Sequence, residues 1–226
     1  MRPPDSAAAR RAPRRDKLGP DAAVRRKILV AAVKTLREQG IQALSIAAIL
    51  ERTALGTRAF YRHFESKDQL VAAVFLEMAR AETQRLKRKM ADTACPVEAV
   101  VAWVEGRLDL AFDGDSQFDL RRLALEAQSK AFSSPELVAP AYSAILEPLT
   151  EQLERGLEQG VFEDIVPATA AKSIHGVVWA GTQRHWAAHR WNRTETRDRA
   201  IRFCLRGLGV APDMIERVTA SAAAPG

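Results

Sequence analysis

Apolar positions recur three and four apart over most of this chain and strict alternation is scarce, so the pattern predicts an all-α fold. From Asp21 onward, Val24, Ile28, Ala31, Ala32 and Leu36 share one helix face, and Gly40 stands where that helix stops. Ser45 is an N-cap residue opening a short run in which Ile46, Ile49 and Leu50 share a face. The pattern fails at Thr53-Ala54-Leu55-Gly56 and resumes near Thr57, in a second short helix. That helix turns Thr57, Arg58, Tyr61 and Arg62 outward and Ala59, Phe60 and Phe64 inward. Ser66 and Gln69 read as a capping box for a long helix that carries Leu70, Val74, Met78 and Ala81 and runs to about Met90.

Beyond it the helical period continues. Pro96 starts a helix with a stripe of Val97, Val101, Val104 and Leu108, and Trp103 and Leu110 on an adjoining face. Residues 113–116 are a turn cluster, and a further helix is expected over 118–130. Ser134-Pro135-Glu136 opens the next, which reaches Gly160 through Ile145, Leu149, Leu153 and Leu157. Within it Pro140 is either a tolerated early proline or a break, and Pro148 predicts a kink. Two last helices are expected over 167–190 and 194–208. The first places Ile174, Val178, Gly181 and Ala188 on one seam and His175, Trp179, Thr182, Trp186 and His189 on its neighbour. The second lines up Ala200, Ile201, Cys204, Leu205 and Leu208. With no later element to cover these apolar faces, a homodimer through the last two helices is expected.

Charge divides the chain unevenly. Residues 1–67 hold 15 Lys or Arg against 6 Asp or Glu, a surplus of +9 in a chain of net charge +6, which leaves −3 for the remainder. A basic end on a mildly acidic body implies a polyanion partner for that end. Residues 1–20 contain six basic residues, four prolines and almost no large apolar side chain, so this arm is expected to be disordered when alone. It is either a DNA contact or an unbound tail. Cys95 and Cys204 have no pairing or metal spacing and read as reduced residues of a cytoplasmic protein. No apolar stretch approaches the roughly 18 residues of a membrane span. His185 and His189 stand four apart, but no third ligand lies near, so no metal is assigned. Nucleophile elbows, Walker loops and dinucleotide turns are missing, so no catalytic residue or cofactor is assigned either.

The ungapped run from Ser45 through Tyr61-Arg62-His63-Phe64 to Ser66-Lys67 resembles the DNA-binding motif of TetR-family regulators. The chain departs from that pattern in having Ala54 where glycine is usual, Gly56 where a polar cap is usual and Arg58 where a small residue is usual. Gly56 would supply a permissive backbone before the second helix. The resemblance implies a dimeric regulator, most often a repressor, with a double-stranded DNA operator and a small-molecule effector of unknown identity. It also implies that Ser45, Tyr61, His63 and Lys67 hold the phosphate backbone, although His63 beside Phe64 reads equally as a packed ring. Thr57, Arg58 and Arg62 are the outward donors of the second helix. The two arginines either reach guanine O6 and N7 or touch only phosphate and solvent.

The expected organisation is a disordered basic arm at 1–20, a three-helix helix-turn-helix DNA-binding domain at 21–67, a helical effector-binding and dimerisation domain at 68–210 joined to it by the long helix, and a flexible tail at 211–226. A cavity in the body is expected with Trp103, Phe112, Tyr142 and Trp179 as walls and Arg121, Arg122 or Glu126 as polar anchors. The competing function is a structural nucleic-acid binder whose body only dimerises.

Overall fold

Three of the four N-terminal helices begin on a side-chain cap that the sequence supplies, and the short third one starts at Gly56 without one. The Asp21 carboxylate accepts the Ala23 N–H at 2.8 Å and starts α1 (Ala22–Gln39), which ends at Gly40 with φ 83°. After a 3₁₀ turn at Ile41–Ala43, the Ser45 hydroxyl accepts the Ala48 N–H at 3.1 Å and starts α2 (Ile46–Thr53). A tight turn leads to α3 (Thr57–Tyr61). The Ser66 hydroxyl then accepts the Gln69 N–H at 3.1 Å and opens α4 (Lys67–Met90). Gln69 returns its side-chain oxygen to the Glu65 N–H at 2.6 Å, one residue earlier than a standard capping box.

The computed structural model describes residues 21–112, 125–130, 133–188 and 192–220. All regular elements among them are helical. The body comprises α5 (Pro96–Phe112), a helical piece at 125–130, α6 (Pro135–Glu158), α7 (Pro167–Ala188), α8 (Arg193–Gly207) and α9 (Pro212–Ala220). The basic arm, the 113–116 turn, the start of the 118–130 helix, His189 and the last six residues lie outside the described residues.

Two hydrophobic cores result. One gathers Ile28, Leu36, Leu44, Ile49, Phe60 and Phe64 around the first half of α4 and takes in Val138 and Ala141 of α6. The other gathers Trp103 and the α5 valines with Leu149, Leu153, Phe162, Ile174, Ile201 and Leu205. α4 passes from the first core to the second, through Leu70 and Val74 at one end and Leu86 and Met90 at the other. It is therefore packed into both.

α6 stays a single helix through Pro140 and Pro148, so the break considered at Pro140 does not occur. Pro148 has no N–H for the Ala144 carbonyl, the residue four before it. That carbonyl is met from outside, at 2.8 Å from the Thr83 hydroxyl of α4. The neighbouring Ile145 carbonyl accepts the Trp103 indole N–H at 3.3 Å. Partners on two other helices thus stabilise a helix that its own sequence would weaken.

The C-terminal end corrects two expectations. Residues 212–220, expected to fray, form α9 and bury Ile215, Val218 and Thr219. Ile201, expected in a dimer seam, is 1% exposed within a single chain, because α5 and α9 pack against α8. Leu157 falls outside the core stripe of α6 and is 40% exposed.

Candidate nucleic-acid interface and ligand cavity

The short α3 is held by what it buries. Phe60 and Phe64 are almost fully enclosed, Phe60 lies edge-on to Tyr61 at 5.4 Å, and the Arg25 guanidinium sits 5.3 Å from the centre of the Phe64 ring. With those rings fixed inward, Thr57, Arg58, Tyr61 and Arg62 are all exposed. The Ser45 hydroxyl is engaged in capping α2 but keeps its own O–H as a donor. Lys67 is exposed in the first turn of α4, where the helix dipole disfavours a cation, so its place is not explained by helix stability. An anion at that helix start would answer both the lysine and the dipole. His63 is half-buried, its backbone N–H donates to the Phe60 carbonyl at 2.8 Å, and its Nδ1 has no partner.

The turn between α2 and α3 is built differently from the sequence expectation. Ala54 takes the left-handed conformation at φ 51° and ψ 38°, whereas Gly56 lies at φ −83° in ordinary extended backbone. The permissive residue is not where permissiveness is used. A second brace comes from Arg52, which donates to the Thr35 hydroxyl at 3.1 Å and to Glu38 at 2.8 Å, tying α2 to α1.

Where the two cores meet, α1, α4, α5, α6, α7 and the helical piece at 125–130 line an open cavity of about 350 Å³. Tyr142, Trp179 and Trp186 form much of its apolar wall, and Glu82, Arg85 and Arg107 form a charged one. Trp179 and Trp186 meet edge to face at 5.8 Å, and the His175 ring lies edge-on to Tyr142 at 5.6 Å. The Glu82 carboxylate accepts Arg85 at 2.8 and 2.9 Å and Arg107 at 2.8 Å. Burial pulls its pKa upward, but the Arg85 hydrogen bonds and the Arg107 charge outweigh that and hold it below the ordinary value. His175 is pushed down to about 4, by burial first and then by the Arg107 charge, and is neutral at pH 7. Burial also raises the Tyr142 phenol, against a smaller opposing effect of Arg107.

Of the residues anticipated as cavity walls, the structure brings Tyr142 and Trp179 into the lining. Trp103 is 0% exposed and spent on the Ile145 carbonyl, while Phe112 stacks on His185 with ring centres 3.9 Å apart. Glu126 reaches the backbone of Ile41 instead. Arg121 and Arg122 lie outside the described residues. The charged wall went unanticipated, although Arg107 was legible as the single cation of α5. No group of three metal-ligating side chains occurs among the described residues.

These features define an all-helical protein with an N-terminal helix-turn-helix reader and a helical body containing a cavity. Residues 28–74 match the family "Bacterial regulatory proteins, tetR family", so the reader is similar to the DNA-binding part of TetR-family regulators. The chain is 36% identical over 55 residues to an uncharacterised HTH-type transcriptional regulator of Mycobacterium bovis, a match covering 24% of this chain and 26% of that protein. Only about a quarter of that relative's length is thus spanned. The fold is similar to RolR in complex with resorcinol, at TM-score 0.63 and 20% identity over 90% of this chain and 94% of that one. It is also similar to a regulator of Saccharomonospora viridis in complex with choline, at TM-score 0.59 and 19% identity over 81% and 96%. At these identities the likeness speaks for the fold. No helix among the described residues is long and apolar enough to cross a membrane.

Proposed function

We propose that the chain is a ligand-responsive repressor that binds a palindromic operator as a homodimer. The observation that carries this reading is the position of the cavity, whose lining draws on Phe75, Ala79, Val138 and Ala141 of the reader's core as well as Val178 of the body's. A molecule seated there touches helices that also position α3. If it fits only the arrangement in which the two recognition helices of a dimer are misplaced, it shifts the population away from DNA binding. The bound resorcinol and choline of the two similar structures support a ligand in this fold. The dimer reading rests on the outer faces of α7 and α8, where Gly176, Ala180 and Gly207 are exposed, as is Phe203 at 67%.

Selecting bound sequences from a random DNA pool tests the reading. A short inverted repeat is the expected result. Arg58→Ala and Arg62→Ala should relax preference within each half-site at a cost of about 1–3 kcal/mol per lost bidentate base contact. Lys67→Ala should weaken all sequences alike. An unenriched pool, or arginine variants with unchanged preference, would leave a structural nucleic-acid binder as the better account.

A further inference from the structure

The charged wall of the cavity is not matched group for group. Both oxygens of Glu82 are taken by guanidinium donors: Oε1 by Arg107 and Arg85, and Oε2 by Arg85. Arg107 therefore shares its carboxylate with a second arginine, and its buried Nε–H has no acceptor among the described residues. Two other lining residues are in the same position, since His175 Nδ1 and Trp186 Nε1 are buried and unpartnered. Half of the six such atoms among the described residues thus belong to side chains that line this one cavity. Leaving a buried polar group unmade costs about 1–3 kcal/mol, and more when the group is charged.

The chemistry of these atoms selects a sign. Arg107 Nε and Trp186 Nε1 are donors only, and His175, neutral in this setting, presents either a donor or an acceptor at Nδ1. The one carboxylate among the described residues of the wall already serves two cations, which leaves an incoming ammonium facing guanidinium. Apolar surface from Leu110, Met78, Tyr142 and Trp179 supplies the rest.

We propose that the cavity binds an organic anion, a carboxylate with an apolar or aromatic body, whose head group accepts from the Nε edge of Arg107 and from the Trp186 indole N–H. This deepens the effector-domain reading above and rests on it. A guanidinium edge suits a carboxylate, and the bond is charge-assisted in a partly dry site. Arg107 is thereby the specificity-determining residue. Tyr142 and Trp179 take the body of the molecule.

Titration calorimetry on the full chain, without DNA, tests this with three matched pairs: 4-phenylbutanoate, 2-naphthoate and decanoate, each against its primary amide, with 4-phenylbutylamine as the cationic member. At least one carboxylate should bind about tenfold or more tightly than its amide, a difference typical of a charge-assisted contact, and the amine should give no heat. In Arg107→Gln that advantage should disappear; Glu82 keeps Arg85, so no bare carboxylate is left buried. Trp186→Phe, which removes only the indole donor and little volume, should weaken the same carboxylate severalfold. Amides or the amine binding as well as the carboxylates, an advantage that survives Arg107→Gln, or no heat from any carboxylate overturns the proposal. Adding the bound carboxylate to an operator complex separates the two readings. Binding without release would remove the effector reading and leave the anion site, whereas release by the amides alone would do the reverse.

Discussion

The Glu126 carboxylate accepts the backbone N–H of Ile41 through both oxygens, at 3.1 and 3.2 Å, across 85 residues of sequence. Ile41 begins the 3₁₀ turn between α1 and α2, and the residue after Glu126, Ala127, lines the cavity. A movement of the cavity wall at 127 is therefore one peptide away from a direct hold on the reader. Glu126→Ala should lower unfolding stability by about 1–2 kcal/mol, the range for a partly exposed bond to a charged acceptor. It should also reduce the effect of a cavity ligand on operator affinity. Denaturant unfolding and operator titrations with and without ligand measure the two, and unchanged coupling would mean that Glu126 only braces the fold.

Ala54 invites the opposite kind of change. An L-residue in the left-handed region costs roughly 1–2 kcal/mol, against which glycine loses more chain entropy on folding. Ala54→Gly should therefore stabilise the protein by about 0.5–1 kcal/mol, since Ala54 stands at φ 51°. Urea unfolding reads the sign directly. A loss of stability would show that the Ala54 methyl makes a packing contribution larger than the backbone cost.

Association should depend on Phe203 and not on Ile201. Phe203→Glu places a charge on a side chain that is exposed in the single chain, so helix content and thermal stability should hold while the dimer dissociates. The same charge at Ile201, inside the core of one protomer, should unfold the body, because an unpaired buried charge costs several kcal/mol. Sedimentation and circular dichroism distinguish the two. A dimeric Phe203→Glu protein would move the interface off the outer face of α8.

Acid should destabilise the protein in a window set by His175. In the unfolded chain this imidazole takes a proton below a pKa of 6.5, but in the folded state burial delays that to about 4. Between those values the unfolded state binds more protons, so stability falls as pH falls. The full shift corresponds to about 3 kcal/mol as an upper bound, reduced by residual solvent access. Glu82 and Asp109, both held below their ordinary values by arginine and lysine partners against the pull of burial, add a loss of the same sign at lower pH. His175→Gln should flatten the fall between pH 6.5 and 4 and leave the lower part. An equally steep profile in both proteins would place the proton uptake elsewhere.

The reader was legible because its determinants are local. Caps at Asp21, Ser45 and Ser66, the helix stop at Gly40, and the inward pair Phe60 and Phe64 each act within a few residues, and their spacing alone decides which side chains of α3 face outward. The body was legible only as helices. Periodicity says that a face is apolar without saying what covers it, so α8 read as a surface for a partner until α9 was seen to lie against it. The same limit misplaced Trp103, an aromatic on an apolar helix, whose indole N–H answers a carbonyl beside the Pro148 gap in α6.

By itself, then, the sequence determined the helical class, the reader and its outward donors, and the uneven charge, all of them short-range properties of residue type and spacing. Tertiary structure alone decided that Glu82, Arg85 and Arg107 share one wall, that Glu126 holds Ile41, and that Thr83 completes the backbone of α6. Such pairings join helices distant in the chain, and a side chain's partner across a cavity depends on how whole helices pack, which no local period encodes.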